Sequence, residues 1–281
     1  MSDAWGSGAK EYAEKIPKGP PKDSVDAILH TIDGLLPFDN ATSILDNGCG
    51  TGLGMQTLIS KYADRLPDRT RLVAADLSPG MLESVRRTKT AHDGNKFWDR
   101  LELEICNVED MNQFSNSSFS HIIASLVLFF AEAEPAISEA YRILQPGGVI
   151  GFTSFRENQW MQLLNVATKI DPTLKPKPLP ANWASADWIR AQLESANFTD
   201  VKVEPKKIYL QVDDAVDFAK FIVRSGIQAM SGIFESLTEE EKDRAVQLIA
   251  DEIAEKYPGS PARIPGVLLV SSARKDNGGA H

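Results

Sequence analysis

From position 45 the chain reads Leu45-Asp46-Asn47-Gly48-Cys49-Gly50-Thr51-Gly52-Leu53-Gly54, with four alternating glycines behind a short apolar run. Glycines so spaced let the backbone approach a ligand where a Cβ would collide. The start of a following helix offers N–H groups to a carboxylate or phosphate. A dinucleotide loop would need its third glycine at position 53 or 55, where Leu53 and Met55 stand. Asp46 would repel a pyrophosphate and suits a cationic ligand. Asp76 ends a second apolar run 24 residues after Gly52. A carboxylate at that point of a doubly wound sheet commonly accepts both ribose hydroxyls of an adenosine-type ligand; on its own, a solvated turn aspartate fits equally. Asn107-Val108-Glu109 follows a third run, and its side-chain amide can donate and accept at an adenine edge. A plain turn reads as well there.

The elements that must position these residues alternate between strand-like and helix-like patterns, which predicts an α/β fold with a mostly parallel sheet. Strands are expected at Ser43–Asp46, Arg71–Asp76, Leu101–Cys106, Phe119–Leu126, Val149–Phe155, Val201–Leu210 and Val267–Ala273. Val25, Ile28, Leu29, Ile32 and Leu36 recur at helical spacing ahead of the first strand. Ser78-Pro79 opens a helix with an N-cap and a first-turn proline. Ile137, Ala140, Tyr141 and Leu144 mark a helix stopped by Pro146-Gly147-Gly148. Beyond residue 156, Glu157 to Ile170 reads as helical, and Asp171 to Pro180 as a proline-rich linker. Ser185 to Ala196 reads as a further helix. Two late helices carry Ala215, Phe218, Ala219 and Ile222, then Ala245, Leu248, Ile249 and Ile253, with a capping box at Thr238 and Glu241. The tail after residue 275 is expected to fray.

The 281 residues hold 42% apolar and 25% charged side chains, ordinary for a soluble globular protein. A formal charge of −9 argues against nucleic acid or an anionic membrane surface as partner. The longest apolar run, Ile122 to Ala131, is ten residues, whereas a bilayer span needs about 20. No apolar leader opens the chain, and Cys49 and Cys106 show no metal-type spacing. A cytoplasmic protein with reduced cysteines, monomeric or homodimeric, is the expectation.

Taken in order, ILDNGCGTG, LVAADLSPGML, CNVEDM and SHIIASLVLFF…ISEAYRILQPGGVIGFTSF resemble the class I S-adenosylmethionine (SAM) dependent methyltransferases, particularly the UbiE/COQ5-type branch. The resemblance covers about residues 40 to 156. The opening AWGSGAKEYAEKIPK is similar to fungal secondary-metabolite members of that branch. It implies a Rossmann-like, doubly wound, seven-stranded mostly parallel sheet. Residues 1–40 would form an N-terminal helical cap and 41–156 the SAM-binding core. Residues 157–281 would complete the core and add a helical insertion over the substrate. The resemblance further implies that Asp46, Gly48 and Gly50 hold the methionine end of SAM, with Cys49 a backbone contact. Asp76 would bind the ribose, Leu77 and Met81 would lie beside the adenosine, Asn107 and Val108 would flank the adenine, and Leu126 would touch the methionine part. The family often has aspartate at the positions of Asn107 and Ser120; the latter stands at the far end of its strand.

A sulfonium methyl is already activated, so alignment and exclusion of water are the main requirements. None of His30, His92, His121 and His281 is well placed as a base, and His30 reads as structural, beside the apolar face of its helix. No catalytic side chain and no metal are therefore expected. Substrate contacts are expected from Tyr12, Phe129, Phe130, Phe155, Trp160, Trp183, Phe218, Phe221 and Met230. Such a lining suits a flat, apolar or aromatic small molecule, with O-methylation favoured. N- or S-methylation, or SAM binding without transfer, are the alternatives; the failed glycine registers argue against an NAD-dependent oxidoreductase.

Overall fold

In a computed structural model that describes residues 5–15 and 19–277, seven strands form one sheet. The first half runs α1 (Ala9–Lys15), α2 (Pro20–Leu35), β1 (Ser43–Asn47), α3 (Leu53–Tyr62), β2 (Arg71–Asp76), α4 (Pro79–Ala91), α5 (Lys96–Arg100), β3 (Glu102–Ile105), β4 (Phe119–Ala124), α6 (Ala133–Ile143) and β5 (Leu144–Asn158). Then follow α7 (Val166–Ile170), α8 (Ala186–Ser195), β6 (Phe198–Val212), α9 (Ala215–Arg224), α10 (Gln228–Ser231), α11 (Glu239–Lys256) and β7 (Ala262–Lys275). The strand order is β3-β2-β1-β4-β5-β7-β6, parallel except for β7, which is antiparallel to both neighbours. His281 and the end of the tail, with Ala4 and Ile16 to Lys18 of the opening motif, lie outside the described residues.

Local chemistry sets the boundaries. Ser78 Oγ accepts the Met81 N–H at 3.1 Å and Pro79 fills the first turn of α4. Thr238 and Glu241 form the expected capping box of α11. β4 is buried along its whole length, with Ser120 and His121 buried among its apolar side chains. Pro205 is tolerated in β6 because that strand lies at the sheet edge, where a missing N–H breaks no ladder.

One helix expectation needs correction, and one short helix was not foreseen. Glu157–Ile170 is not one helix: β5 continues to Asn158, paired with Gly266 of β7, before a 3-10 stretch Trp160–Asn165 and the short α7. Pairing with a neighbouring strand overrode local helical spacing. A side chain at Gly266 would collide with the Trp160 ring, so this close approach depends on glycine. The five-residue α5, capped by the Asn95 side chain, buries Phe97 and Trp98 and is too short to show a helical period.

Helices α2 to α5 pack on one face of the sheet, through residues such as Ile28, Ile32, Met55, Leu58 and Val85. α6 and α8 cover the other face. A third cluster joins α7, α9 and α11 to the last residues of β6 and the first of β7. Because β6 runs parallel to β1, its end at Val212 lies toward the carboxyl edge of the sheet, where such folds bind ligands. The late helices leave the sheet at that edge.

Candidate active site

The glycine loop joins β1 to α3. Gly48 and Cys49 donate to the Ala75 carbonyl at 2.8 and 2.9 Å, and Gly50, Gly52 and Gly48 all have positive φ. A Cβ at Gly50 would meet nothing within 4 Å, whereas one at Gly54 would collide with the Asp46 carboxylate. The loop is thus closed toward the protein and open on the Gly50 side.

Asp46 is only 1% exposed, and its Oδ2 accepts the Met55 N–H at 3.1 Å, in the first turn of α3. Burial pushes its carboxyl up to about 7, opposed by the Met55 bond and assisted by the charge of Asp76. Burial, with the charges of Asp46 and Asp76, also holds the Cys49 thiol well above its ordinary range. It stays protonated, so Cys49 contributes backbone rather than a thiolate. Asp76 Oδ2 accepts from Gly50 N and Oδ1 from Ser78 N, each at 2.8 Å. Those bonds tie the ends of β1 and β2 to one carboxylate, whose roughly four lone-pair positions also admit hydroxyl donors. A buried carboxyl group behind an open glycine loop, beside a carboxylate at a strand end, fits SAM: a cationic methionine end and a ribose diol.

Leu77 is 60% exposed beside Asp76, while Met81 is buried in the first turn of α4. The Asn107 Oδ1 accepts the Glu109 N–H at 3.1 Å, leaving the other end of the amide for a ring edge; Val108 is buried next to it. Leu126, just beyond β4, has a left-handed backbone (φ 56°) and donates its N–H to Thr153 Oγ1 at 3.2 Å. Its neighbour Val127 packs against Gly48, where a Cβ would collide with it. Nothing in the sequence pattern marks Val127 as part of the loop; the contact spans 79 positions.

Five of the nine expected substrate residues come together. Ring contacts run from Tyr12 to Trp5 (6.3 Å), Trp5 to Phe130 (5.6 Å), Phe130 to Phe129 (4.5 Å), Phe129 to Phe155 (5.9 Å) and Phe155 to Trp160 (5.5 Å). This row crosses the carboxyl ends of β4 and β5. Trp5 is the member that sequence reasoning missed, although it stands in the opening motif. Burial pushes the Tyr12 phenol up to about 12. Trp183 does not join the row: it is buried against Phe152 and Trp188 on the α8 side. Phe218 and Met230 pack in the late helical cluster, and Phe221 is buried in α9.

The described histidines lie elsewhere. His92 stacks on Trp98, and His121 is buried at the amino end of β4. His30 is exposed on α2, contrary to the structural role expected of it. Among the described residues, no group of three or more His, Cys, Asp or Glu could hold a metal ion, and no helix is long and apolar enough to cross a membrane.

Known proteins supply a comparison independent of this geometry. Residues 45–152 match a family described as "Methyltransferase domain". The chain is 30% identical over 276 residues to methyltransferase ucsB of an Acremonium species, covering 96% of this chain and 94% of that one. It is 26% identical over 168 residues to acetylaranotin bis-thiomethyltransferase of Aspergillus terreus, covering 57% and 55%. Among solved structures, Haemonchus contortus phosphoethanolamine N-methyltransferase 2, in complex with phosphomonomethylethanolamine and S-adenosylhomocysteine, shares the fold. Its TM-score is 0.53 at 16% identity, covering 90% of this chain and 52% of that one. The chain belongs to the class I SAM-dependent methyltransferases, among relatives that include fungal secondary-metabolite enzymes. It is therefore a SAM-dependent methyltransferase.

Proposed function

We propose that this enzyme methylates a small, apolar or aromatic secondary metabolite, with a phenolic or enolic oxygen as acceptor. The observation that carries the reading is the aromatic row from Tyr12 to Trp160, which crosses the carboxyl ends of β4 and β5. Flat rings of this kind bind a flat apolar acceptor and exclude water. SAM, when bound, supplies the activated methyl group. Asp46, Gly48, Gly50 and the Cys49 backbone hold its methionine end, with Leu126 beside it. Asp76 takes the ribose, Leu77 and Met81 lie along the adenosine, and Asn107 and Val108 along the adenine. Residues 1–40 and the helices between β6 and β7 act as the cap.

Alignment of this kind can lower a barrier by roughly 7–11 kcal/mol. None of the three described histidines is at the row, and a Tyr12 phenol with a pKa of about 12 keeps its proton at neutral pH. The acceptor must then ionise readily or already be neutral and nucleophilic, as an acidic phenol, enol, thiol or free amine is. S-methylation is the second reading, supported by the similarity to the Aspergillus terreus bis-thiomethyltransferase.

A matched set of aryl alcohols, thiols and amines on one ring system tests the choice. S-Adenosylhomocysteine release and product mass are measured with each. Faster turnover of the phenol is expected; preference for the thiol across the set would replace the oxygen reading. Loss of turnover above about 10³-fold in any single histidine variant, with cofactor affinity unchanged, would refute transfer without a base.

A further inference from the structure

Beneath the end of β4 lies a chain of three hydroxyls drawn from three distant parts of the sequence. Ser24 Oγ, in α2, is 2.6 Å from Thr153 Oγ1 in β5 and 2.7 Å from Ser125 Oγ just past β4. Thr153 Oγ1 also accepts the Leu126 N–H. Ser24 and Thr153 are fully buried and Ser125 is half-buried.

Leu126 is one of few non-glycine residues among those described with a left-handed backbone, an unfavourable conformation for an L side chain. Such strain persists only where surrounding contacts over-determine it. Here the over-determination comes from Thr153, whose hydroxyl takes the Leu126 amide, and from Ser24, which ties that hydroxyl to α2. One residue further on, Val127 fills the space opposite Gly48. A shift of the Leu126 backbone would therefore push on the glycine loop.

We propose that the Thr153–Ser24–Ser125 hydroxyl chain is a positioning device that fixes the β4 exit against the glycine loop and so sets the affinity for the cofactor. It rests on the reading that this loop holds SAM. Thr153 acts on the loop through Leu126, whose amide it holds, and Val127, which packs against Gly48. The proton count allows two directions. If Thr153 donates to Ser24, Ser24 donates to Ser125, and the Ser125 proton is left outside the chain. If the order is reversed, Thr153 accepts from both Ser24 and Leu126.

S-Adenosylhomocysteine titrated calorimetrically into the full-length protein tests this without knowledge of the acceptor, with Tm recorded for each variant. Thr153→Val keeps the shape but strands the Leu126 amide; affinity is expected to fall ~10-fold or more. Thr153→Ser restores the hydroxyl and should stay within about two-fold of the parent. Ser24→Ala, which cuts the tie to α2, should fall between them. Asp76→Ala is the reference for the site and should bind at least ~100-fold more weakly. If Asp76→Ala loses binding while Thr153→Val binds like the parent, the hydroxyl chain has no positioning role. Equal losses in Thr153→Val and Thr153→Ser would refute it too, since the hydroxyl would not be the determinant. If Thr153→Val melts too low to titrate, Ser24→Ala decides, and unchanged affinity there overturns the proposal. An Asp76→Ala protein that binds like the parent would instead remove the site reading on which the proposal stands.

Discussion

The two ends of β1 and β4 are built from similar polar residues yet do opposite things. At the amino end, Ser120 Oγ accepts from the amides of Thr42 and Ser43, donates to the Ser43 carbonyl and meets His121 Nδ1 at 2.9 Å. His121 Nε2 is 2.9 Å from the Leu36 carbonyl, and its ring stacks on Phe38. At the carboxyl end, a buried carboxylate sits under three left-handed glycines, Leu126 is strained, and the buried Asn47 Oδ1 lacks a hydrogen-bond partner. One end spends its polar groups on cohesion; the other holds strain and buried charge that a ligand can relieve. A sheet can thus be anchored at one edge and reactive at the other within six residues of β4.

The comparison predicts opposite dependences of stability on pH. The Asp46 carboxyl, pushed up to about 7, holds a proton in the folded state that the unfolded chain releases near 4. More protons are bound folded than unfolded across that window, so stability falls as pH rises from about 4 to about 7. The loss is roughly 4 kcal/mol. Asp46→Asn keeps an acceptor for the Met55 N–H and removes the titration. Urea unfolding at pH 5 and pH 8 without cofactor should show the variant more stable than the parent at pH 8, with the gap closing at pH 5. Its affinity for S-adenosylhomocysteine should nevertheless fall, by about 10-fold. Parallel pH profiles for the two proteins would show that the carboxyl end carries no buried charge.

At the other end the sign reverses. Burial lowers His121 to about 4, so the unfolded state binds the extra proton. Stability is complete above about 6.5 and is lost as pH falls toward 4, by roughly 3 kcal/mol. His121→Gln should flatten that acid limb while leaving S-adenosylhomocysteine affinity at pH 8 within about two-fold of the parent. A large affinity loss in this variant would mean that the two ends are coupled, and the division of labour would fail.

How far the sequence foretold this division depends on the residue. Asp46, Asp76 and the glycines were legible because a turn between strand and helix needs them at fixed spacing. The seven strands were legible because apolar runs and breakers alternate. Asp46's degree of burial was not, since it is set by Met55 and Gly54 packing over it. The aromatic row was half legible: residue type marked Phe129, Phe130 and Phe155 but equally marked Trp183, and only the positions of α8 and β5 separate them. The Thr153–Ser24–Ser125 chain was invisible, because a serine in an amphipathic helix and a threonine in a strand carry no signal of their pairing across 129 positions.

Within the glycine loop the structure ranks positions that the sequence presents as equals. Gly54→Ala drives a methyl group into the buried Asp46 carboxylate and should destabilise by about 2–3 kcal/mol, since neither partner has room to move. Gly50→Ala meets no atom and bears only the cost of its positive φ (52°), about 1 kcal/mol. Cofactor binding should reverse the order of severity per unit of stability lost, because the Gly50 side is the open one. Thermal melts with and without S-adenosylhomocysteine check both. Equal melts for the two variants would show that the loop is not closed on its Asp46 side.

The smallest expected effect tests the outer rim of the carboxyl end. Phe130 is 55% exposed, with Trp5 on one side and Phe129 on the other. A side chain so exposed contributes little to folding, so Phe130→Ala should change stability by about 0.5 kcal/mol or less. If the row binds a flat acceptor, the same substitution should raise KM for that acceptor several-fold, roughly 3–10-fold, through lost ring contact, with kcat nearly unchanged. Phe155→Ala, deeper in the row and packed against Trp160, should lower stability and kcat together. That split between KM at the rim and kcat at the floor belongs to an acceptor lying along the row. A uniform loss of stability in both variants, with KM unmoved, would make the row a seam between the N-terminal segment and the sheet.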